Sequence, residues 1–156
     1  MQATLSESEA KRTNAKDLVR AVMSQPVIRV APNTPILDAF NLMYQRDLRH
    51  LVVMEGGDIG GKLVGIVTDR DLRRPATHGR LWSLQDMYLL EEKLAVKDVM
   101  SRQVITVPPD ATVALAARLM LQNKIDALPV VEDGDIVVGI VTSTDLLSAL
   151  MSQRMP

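Results

Sequence analysis

The sequence VGIVTDRDL at residues 64–72 returns almost unchanged as VGIVTSTDL at residues 138–146. A second pair lies upstream, where Met23-Ser24 returns as Met100-Ser101. The copies are 74 residues apart (138 − 64) in the first pair and 77 residues apart (100 − 23) in the second. The first repeat therefore has three extra residues, which we place in the glycine-rich stretch at 56–61 because a loop lengthens at little cost. This internal duplication decides how the chain is organised.

Composition narrows the class of protein. The chain has 156 residues, a formal net charge of −1, 47% hydrophobic residues and 24% charged residues, which is typical of a globular domain. The near-neutral charge gives no electrostatic support for nucleic-acid binding. The absence of cysteine excludes disulfides and thiolate chemistry. No apolar run is long enough to span a membrane, and the polar start lacks a signal-peptide core, so we expect a cytoplasmic protein.

In each repeat the residue pattern predicts the element order β-α-β-β-α. A short β-type run at 27–30 or 104–107 precedes a helix in which apolar residues recur at i, i+3, i+4 and i+7. These positions are Ile36, Ala39, Phe40 and Met43 in the first repeat, and Val113, Ala116, Ala117 and Met120 in the second. Two apolar runs joined by a glycine-bearing turn then predict a hairpin whose strands are buried on both faces. A final helix begins near Asp69 and near Ser143.

These elements predict an α+β fold with two repeats. We place a polar N-terminal arm at 1–15, the first repeat at 16–75, a linker with a helix at 76–95 and the second repeat at 96–152. Trp82 precedes the linking helix, and we expect it to pack the linker against the rest of the chain. A repeat of about 55–60 residues is marginal as an independent fold, so we expect the two to pack as one module.

The motifs Thr68-x-x-Asp71 and Thr142-x-x-Asp145 each lie at a predicted strand-to-helix junction. One interpretation is a ligand site, in which the helix N-terminus and the threonine hydroxyl bind a phosphate and the carboxylate accepts both hydroxyls of a ribose. Arg70 adds a cation to the first motif, where the second has Thr144. The other interpretation is a capping box, which needs no ligand. The two interpretations are compatible.

The repeated strings resemble the CBS domain, a family named for cystathionine β-synthase. RHLVV at 49–53 precedes the first motif and ALPVV at 127–131 precedes the second, while VMS opens each repeat at 22–24 and 99–101. The resemblance covers nearly the whole chain and identifies it as a stand-alone tandem pair. It implies two β-α-β-β-α domains packed about a pseudo-two-fold axis, and dimers of such pairs as flat discs. Val52 stands where the family usually has the proline that the second repeat has at Pro129.

The same resemblance implies a non-catalytic regulatory role, with clefts between the repeats that bind AMP, ADP, ATP or S-adenosylmethionine. Each cleft combines the motif of one repeat with strand and pre-strand residues of the other. The first would use Thr68, Arg70 and Asp71 with Ile105, Ile125, Asp126 and Ala127. The second would use Thr142, Thr144 and Asp145 with Ile28, Leu48, Arg49 and His50. Apolar members would hold the adenine, and Arg49 would supply the cation that Thr144 lacks.

Three classes of function were compared. The first is a regulatory sensor whose adenosyl ligand changes how the homodimer or a regulated protein partner packs. The second is a ligand-free dimerisation or interaction scaffold. The third is an enzyme, for which we find no nucleophile–base pair, no catalytic residues, no obligatory cofactor and no metal-ligand spacing around the two histidines. We expect the sensor, with the scaffold as the alternative and with neither membrane nor nucleic-acid partners.

Overall fold

The structure is a computed structural model that describes residues 15–57, 60–73, 94–134 and 136–154. Nearly all of the predicted N-terminal arm and of the linker, including Trp82, lies outside the described residues. None of the helices in the described ranges is long and apolar enough to cross a membrane.

Each repeat combines helices with an antiparallel hairpin, which confirms the α+β class. After a short 3-10 turn at Ala15–Asp17, the first part of the chain has α1 (Val19–Val22), β1 (Arg29–Val30), α2 (Ile36–Arg46), β2 (His50–Glu55), β3 (Lys62–Thr68) and α3 (Asp69–Arg73). The second part has α4 (Val96–Val99), α5 (Val113–Asn123), β4 (Ala127–Glu132), β5 (Ile136–Thr142) and α6 (Ser143–Arg154). The helix predicted from apolar spacing is present in each repeat as α2 and α5.

Both predicted hairpins are present and match each other. β2 pairs antiparallel with β3, and β4 with β5, and each ladder has a register shift at the same place, Val53/Met54 and Val130/Val131. Six residues separate β2 from β3 and three separate β4 from β5, which confirms that the extra residues fall in the glycine-rich connection. Residues 51–54 and 127–130 are buried, as expected for strands covered on both faces.

The predicted first strand is wrong for the second repeat. β1 pairs in parallel with β2, and the Val52 N–H donates to the carbonyl oxygen of Ile28 at 3.4 Å. At 104–107 the structure has an isolated parallel bridge between Val107 and Val130 and no strand. Proline 129 occupies the place of Val52, and because it has no N–H it cannot make the corresponding bond to Ile105. In the second repeat the pairing of this segment is therefore limited to Val107, whose N–H donates to the Pro129 carbonyl oxygen at 3.1 Å and whose carbonyl oxygen accepts from the Val131 N–H at 2.9 Å.

The chain folds into two compact units whose boundaries fall inside the repeats. The continuous unit is Val27–Val104, and the split unit combines Met1–Pro26 with Ile105–Pro156. The opening segment of each repeat, residues 16–26 in the first and 96–104 in the second, therefore belongs to the unit that contains the hairpin of the other repeat. This exchange was not anticipated from the sequence.

Backbone bonds attach each opening segment to the last strand of its unit. Ser24 and Ile140 exchange N–H···O bonds of 2.8 and 3.2 Å in the split unit. Ser101 and Ile66 do the same in the continuous unit, at 2.9 and 3.1 Å. A core of buried aliphatic and methionine side chains lies under each hairpin.

The glycine in the middle of each last strand makes room for a methionine of the opening segment. A Cβ built on Gly65 would lie 2.5 Å from the Sδ atom of Met100, and one on Gly139 would lie 2.5 Å from that of Met23. In each repeated Met-Ser pair, the methionine therefore packs against this glycine, and the serine makes the backbone bonds to the last strand.

Candidate functional site

The first motif forms a complete capping box where β3 meets α3. The backbone N–H and the Oγ1 hydroxyl of Thr68 donate to Oδ2 of Asp71 at 2.9 and 2.8 Å. The backbone N–H of Asp71 donates in return to Oγ1 of Thr68 at 3.2 Å. The capping interpretation is thus confirmed. Both side chains are half-buried, and Oδ1 of Asp71 accepts no hydrogen bond from any residue that the structure describes.

The second motif repeats this geometry where β5 meets α6. The Thr142 N–H and hydroxyl donate to Oδ2 of Asp145 at 2.8 Å each, and the Asp145 N–H donates to Oγ1 of Thr142 at 3.3 Å. The hydroxyl of Ser24 lies 3.5 Å from Oδ1 of Asp145, which is long for an O–H···O bond. Ser24 was not selected from the sequence, although its recurrence in the Met-Ser pair was visible.

The two motifs differ in the residue after the first position of each helix, although both have a formal charge of −1. Arg70 is exposed, and its side chain makes no hydrogen bond or ion pair with the described residues. Arg73 is engaged instead, 3.6 Å from the Asp69 carboxylate and 5.7 Å from the centre of the Phe40 ring. The second motif has the exposed, neutral Thr144 at the place of Arg70.

The predicted pre-strand residues hold the backbone of the motif in their own unit. The carbonyl oxygen of Arg49 accepts from the Asp69 N–H at 3.0 Å, and that of Asp126 accepts from the Ser143 N–H at 2.9 Å. His50 pairs across the ladder with Thr68, as Ala127 does with Thr142. Arg49 and Asp126 occupy equivalent places with exposed side chains, so one motif has a neighbouring cation and the other a neighbouring anion.

The predicted site residues divide evenly between the two units. The continuous unit contains Ile28, Leu48, Arg49, His50, Thr68, Arg70 and Asp71, and the split unit contains Ile105, Ile125, Asp126, Ala127, Thr142, Thr144 and Asp145. Each cross-repeat combination therefore draws residues from both units. Within one unit, the structure brings a motif together with the pre-strand residues of its own repeat, a grouping that we did not propose from the sequence.

The apolar residues assigned to adenine have partial exposure. Ile28, Leu48, Ile105 and Ile125 are half-buried, whereas Ala127 is buried. In the described part of the chain no three histidine, aspartate or glutamate side chains come close enough together to hold a metal ion.

Comparison with known proteins agrees with this architecture. The family model of the CBS domain matches residues 19–76 and 96–152. The uncharacterized protein MJ1426 of Methanocaldococcus jannaschii is 32% identical in an alignment that covers 86% of this chain and 91% of that protein. L-aspartate semialdehyde sulfurtransferase of the same organism is 33% identical over 144 residues, which cover 92% of this chain. The match covers 25% of the enzyme, so this chain spans about a quarter of that relative.

A solved structure shows the same fold. The CBS domain pair of protein MJ0100, in complex with 5′-methylthioadenosine and S-adenosyl-L-methionine, has a TM-score of 0.69 and 33% sequence identity. The alignment covers 88% of this chain and 98% of that one. Because the family model matches well over half of the residues, in two copies, this chain belongs to the CBS domain family and carries a tandem pair of the domain.

Proposed function

We propose that this chain is a non-catalytic regulatory module that binds an adenosyl ligand through its two Thr-x-x-Asp motifs. The observation that carries the proposal concerns Asp71, whose Oδ2 accepts two bonds from Thr68 and whose Oδ1 accepts none from the residues that the structure describes. A half-buried carboxylate oxygen without a partner is a strong acceptor for a ligand hydroxyl.

The geometry narrows how a ribose would be held. Each carboxylate oxygen has two lone pairs, and those of Oδ2 are taken by the N–H and the hydroxyl of Thr68. The 2′- and 3′-hydroxyls would therefore share Oδ1 of Asp71, rather than one oxygen each. At Asp145 a ribose would compete with the weak contact to Ser24.

The ligand class is supported by chemistry and by similarity. The MJ0100 pair, which resembles this chain over most of its length, was solved with two adenosyl compounds. Here the half-buried Ile28, Leu48, Ile105 and Ile125 offer apolar surface suited to adenine. We assign the backbone groups near His50 and Ala127 to its polar edge, and Arg49 and Arg70 to any phosphate that the ligand carries.

A second candidate is a scaffold that works without a ligand. The observation in its favour is that each motif already satisfies its own backbone groups through the capping box. In that case the motifs would stabilise the junctions and nothing more.

Thermal melting separates the two functions. AMP, ADP, ATP, S-adenosylmethionine and 5′-methylthioadenosine are each added to the full chain at 100 times a micromolar Kd. A ligand that binds the native state stabilises it by about 2.7 kcal/mol at that ratio, which raises Tm by about 5–10 °C for a chain of this size. We expect at least one compound of the panel to do so, with adenine-free ribose 5-phosphate as the inactive control. Unchanged melting curves with the whole panel would contradict the sensor and leave the scaffold.

A further inference from the structure

The continuous unit contains a surface cavity of about 600 Å³ that the adenosyl proposal does not use. Its walls are the segment after β1 (29–33), the end of β2 with the following glycines (54–57), Val64 of β3, and Lys97, Met100 and Arg102. This volume is within the range of small-molecule sites in proteins. We propose that the cavity binds an anion with a chain of two or three phosphates.

The charge of the lining carries the assignment. Arg29, Lys97 and Arg102 line the cavity, and Glu55 is the acidic residue among the described lining residues. The lining residues that the structure describes thus have a formal charge of +2 (three cations, one anion), while the whole chain has −1. A concave surface lined mostly by one sign of charge concentrates ligands of the opposite sign.

Two of the cations are held in place without being neutralised. Nζ of Lys97 donates to Oδ1 of Asn33 at 2.8 Å, and Nη2 of Arg102 donates to the carbonyl oxygen of Lys97 at 3.0 Å. Neither forms an ion pair with a carboxylate in the part of the chain that the structure describes. Each keeps further N–H donors for an anion, since lysine has three and arginine has five.

The second repeat shows that the fold does not require this lining. Equivalent positions in the two repeats lie 77 residues apart. Thr106 is equivalent to Arg29 and Gln25 to Arg102, so two of the three cations are lost. The third is kept, because Arg20 is equivalent to Lys97. The connection between the two hairpin strands, which contributes Gly56 and Gly57 to the cavity, is also three residues shorter in the second repeat. The extra residues and the extra cations therefore occur together, in one unit.

Gly56 and Gly57, which form one wall of the cavity, allow an anion to approach the backbone closely. Gly56 and Gly57 have φ values of +97° and +93°, a backbone conformation that other residues adopt only with strain. The cavity is also distant from the first motif, because Glu55 is five residues along β2 from His50, the ladder partner of Thr68. Five residues of strand span roughly 16 Å, so the two proposals rest on separate groups.

Titration calorimetry at low salt tests the cavity, with sodium tripolyphosphate as the probe and the full chain as the receptor. We expect saturable binding to the wild type and a loss of at least about tenfold in affinity for Lys97→Gln/Arg102→Gln, because two charge-assisted contacts disappear. The matched control, Arg46→Gln/Arg118→Gln, removes the same charge from exposed helix positions and should change the affinity by less than about twofold.

The outcomes are decisive for the cavity and independent of the adenosyl site. Absence of binding to the wild type, or an equal loss in both double variants, would overturn the proposal. An ATP arm identifies the source of the phosphates: loss of ATP affinity as well indicates a nucleoside triphosphate, and loss of tripolyphosphate affinity alone indicates an inorganic polyphosphate. S-adenosylmethionine and 5′-methylthioadenosine carry no phosphate, so failure of both to bind would count against the proposed function and leave the cavity result standing.

Discussion

The two carboxylate oxygens of Asp71 have different hydrogen-bonding roles. Oδ2 completes the cap at the start of α3, and Oδ1 is the acceptor that we assign to ribose. The capping box could be predicted from the sequence because it depends on residues three apart. The division of labour between the oxygens could not, because it depends on side-chain geometry.

Substitutions at Asp71 should separate these tasks. Asp71→Ala removes the cap and should lower the free energy of unfolding by about 1 kcal/mol, measured by urea denaturation. Asp71→Asn keeps an amide oxygen for the Thr68 N–H and should cost about half as much, yet lower adenosyl-ligand affinity at least about tenfold.

The control for this prediction is Asp98→Ala, which removes a similar cap. Oδ2 of Asp98 accepts from the Ala95 N–H at 2.9 Å, and the residue has no place in the proposed site. It should destabilise the chain and leave ligand affinity unchanged. Equal ligand affinity of wild type and Asp71→Asn would remove Asp71 from the binding site.

For the helices and strands, patterns among neighbouring residues predicted the structure correctly, whereas pairings between distant residues were missed. The hairpins and the α2 and α5 helices followed from residues close together in the chain, and the place of the three extra residues followed from comparing the two repeats. The strand at 104–107 failed because its partner position is Pro129, which lacks the donor that Val52 provides. The sequence did not indicate that each opening segment belongs to the unit of the other repeat, because bonds such as those between Ser24 and Ile140 join residues more than a hundred positions apart.

The contact between Gly65 and Met100 should be tested by a double-mutant cycle. Gly65→Ala places a methyl group against Sδ of Met100 and should lower the free energy of unfolding by about 1–3 kcal/mol. In a Met100→Ala background, where the sulfur is gone, the same change should cost less. Chemical denaturation of the four proteins gives the coupling. Strict additivity would show that the methionine does not limit the space at this glycine.

At the scale of the whole molecule, we infer that the chain forms a homodimer. α6 presents an apolar stripe formed by Leu147, Leu150 and Met151, which are 62%, 49% and 66% exposed. Spacings of three and four residues place them on one face of the helix. Clustered exposed apolar residues of this kind indicate an interaction surface.

Sedimentation equilibrium should give about twice the 17.2 kDa mass of one chain. Leu147→Glu/Met151→Glu should produce the monomer, because two buried carboxylates would face their symmetry mates. The control Ile136→Glu changes an apolar residue that is 58% exposed at the start of β5, and should leave the dimer intact. A wild-type monomer at tens of micromolar would exclude the homodimer.

In the proposed function, Asp71 and Asp145 each hold an adenosyl ligand. Titration calorimetry with the compound that shifts the melting curve most tests this directly, on the wild type and on Asp71→Asn/Asp145→Asn. We expect saturable binding to the wild type and at least about a tenfold loss of affinity in a double variant that still unfolds cooperatively. Undiminished affinity in that folded double variant would show that the two aspartates do not hold the ligand.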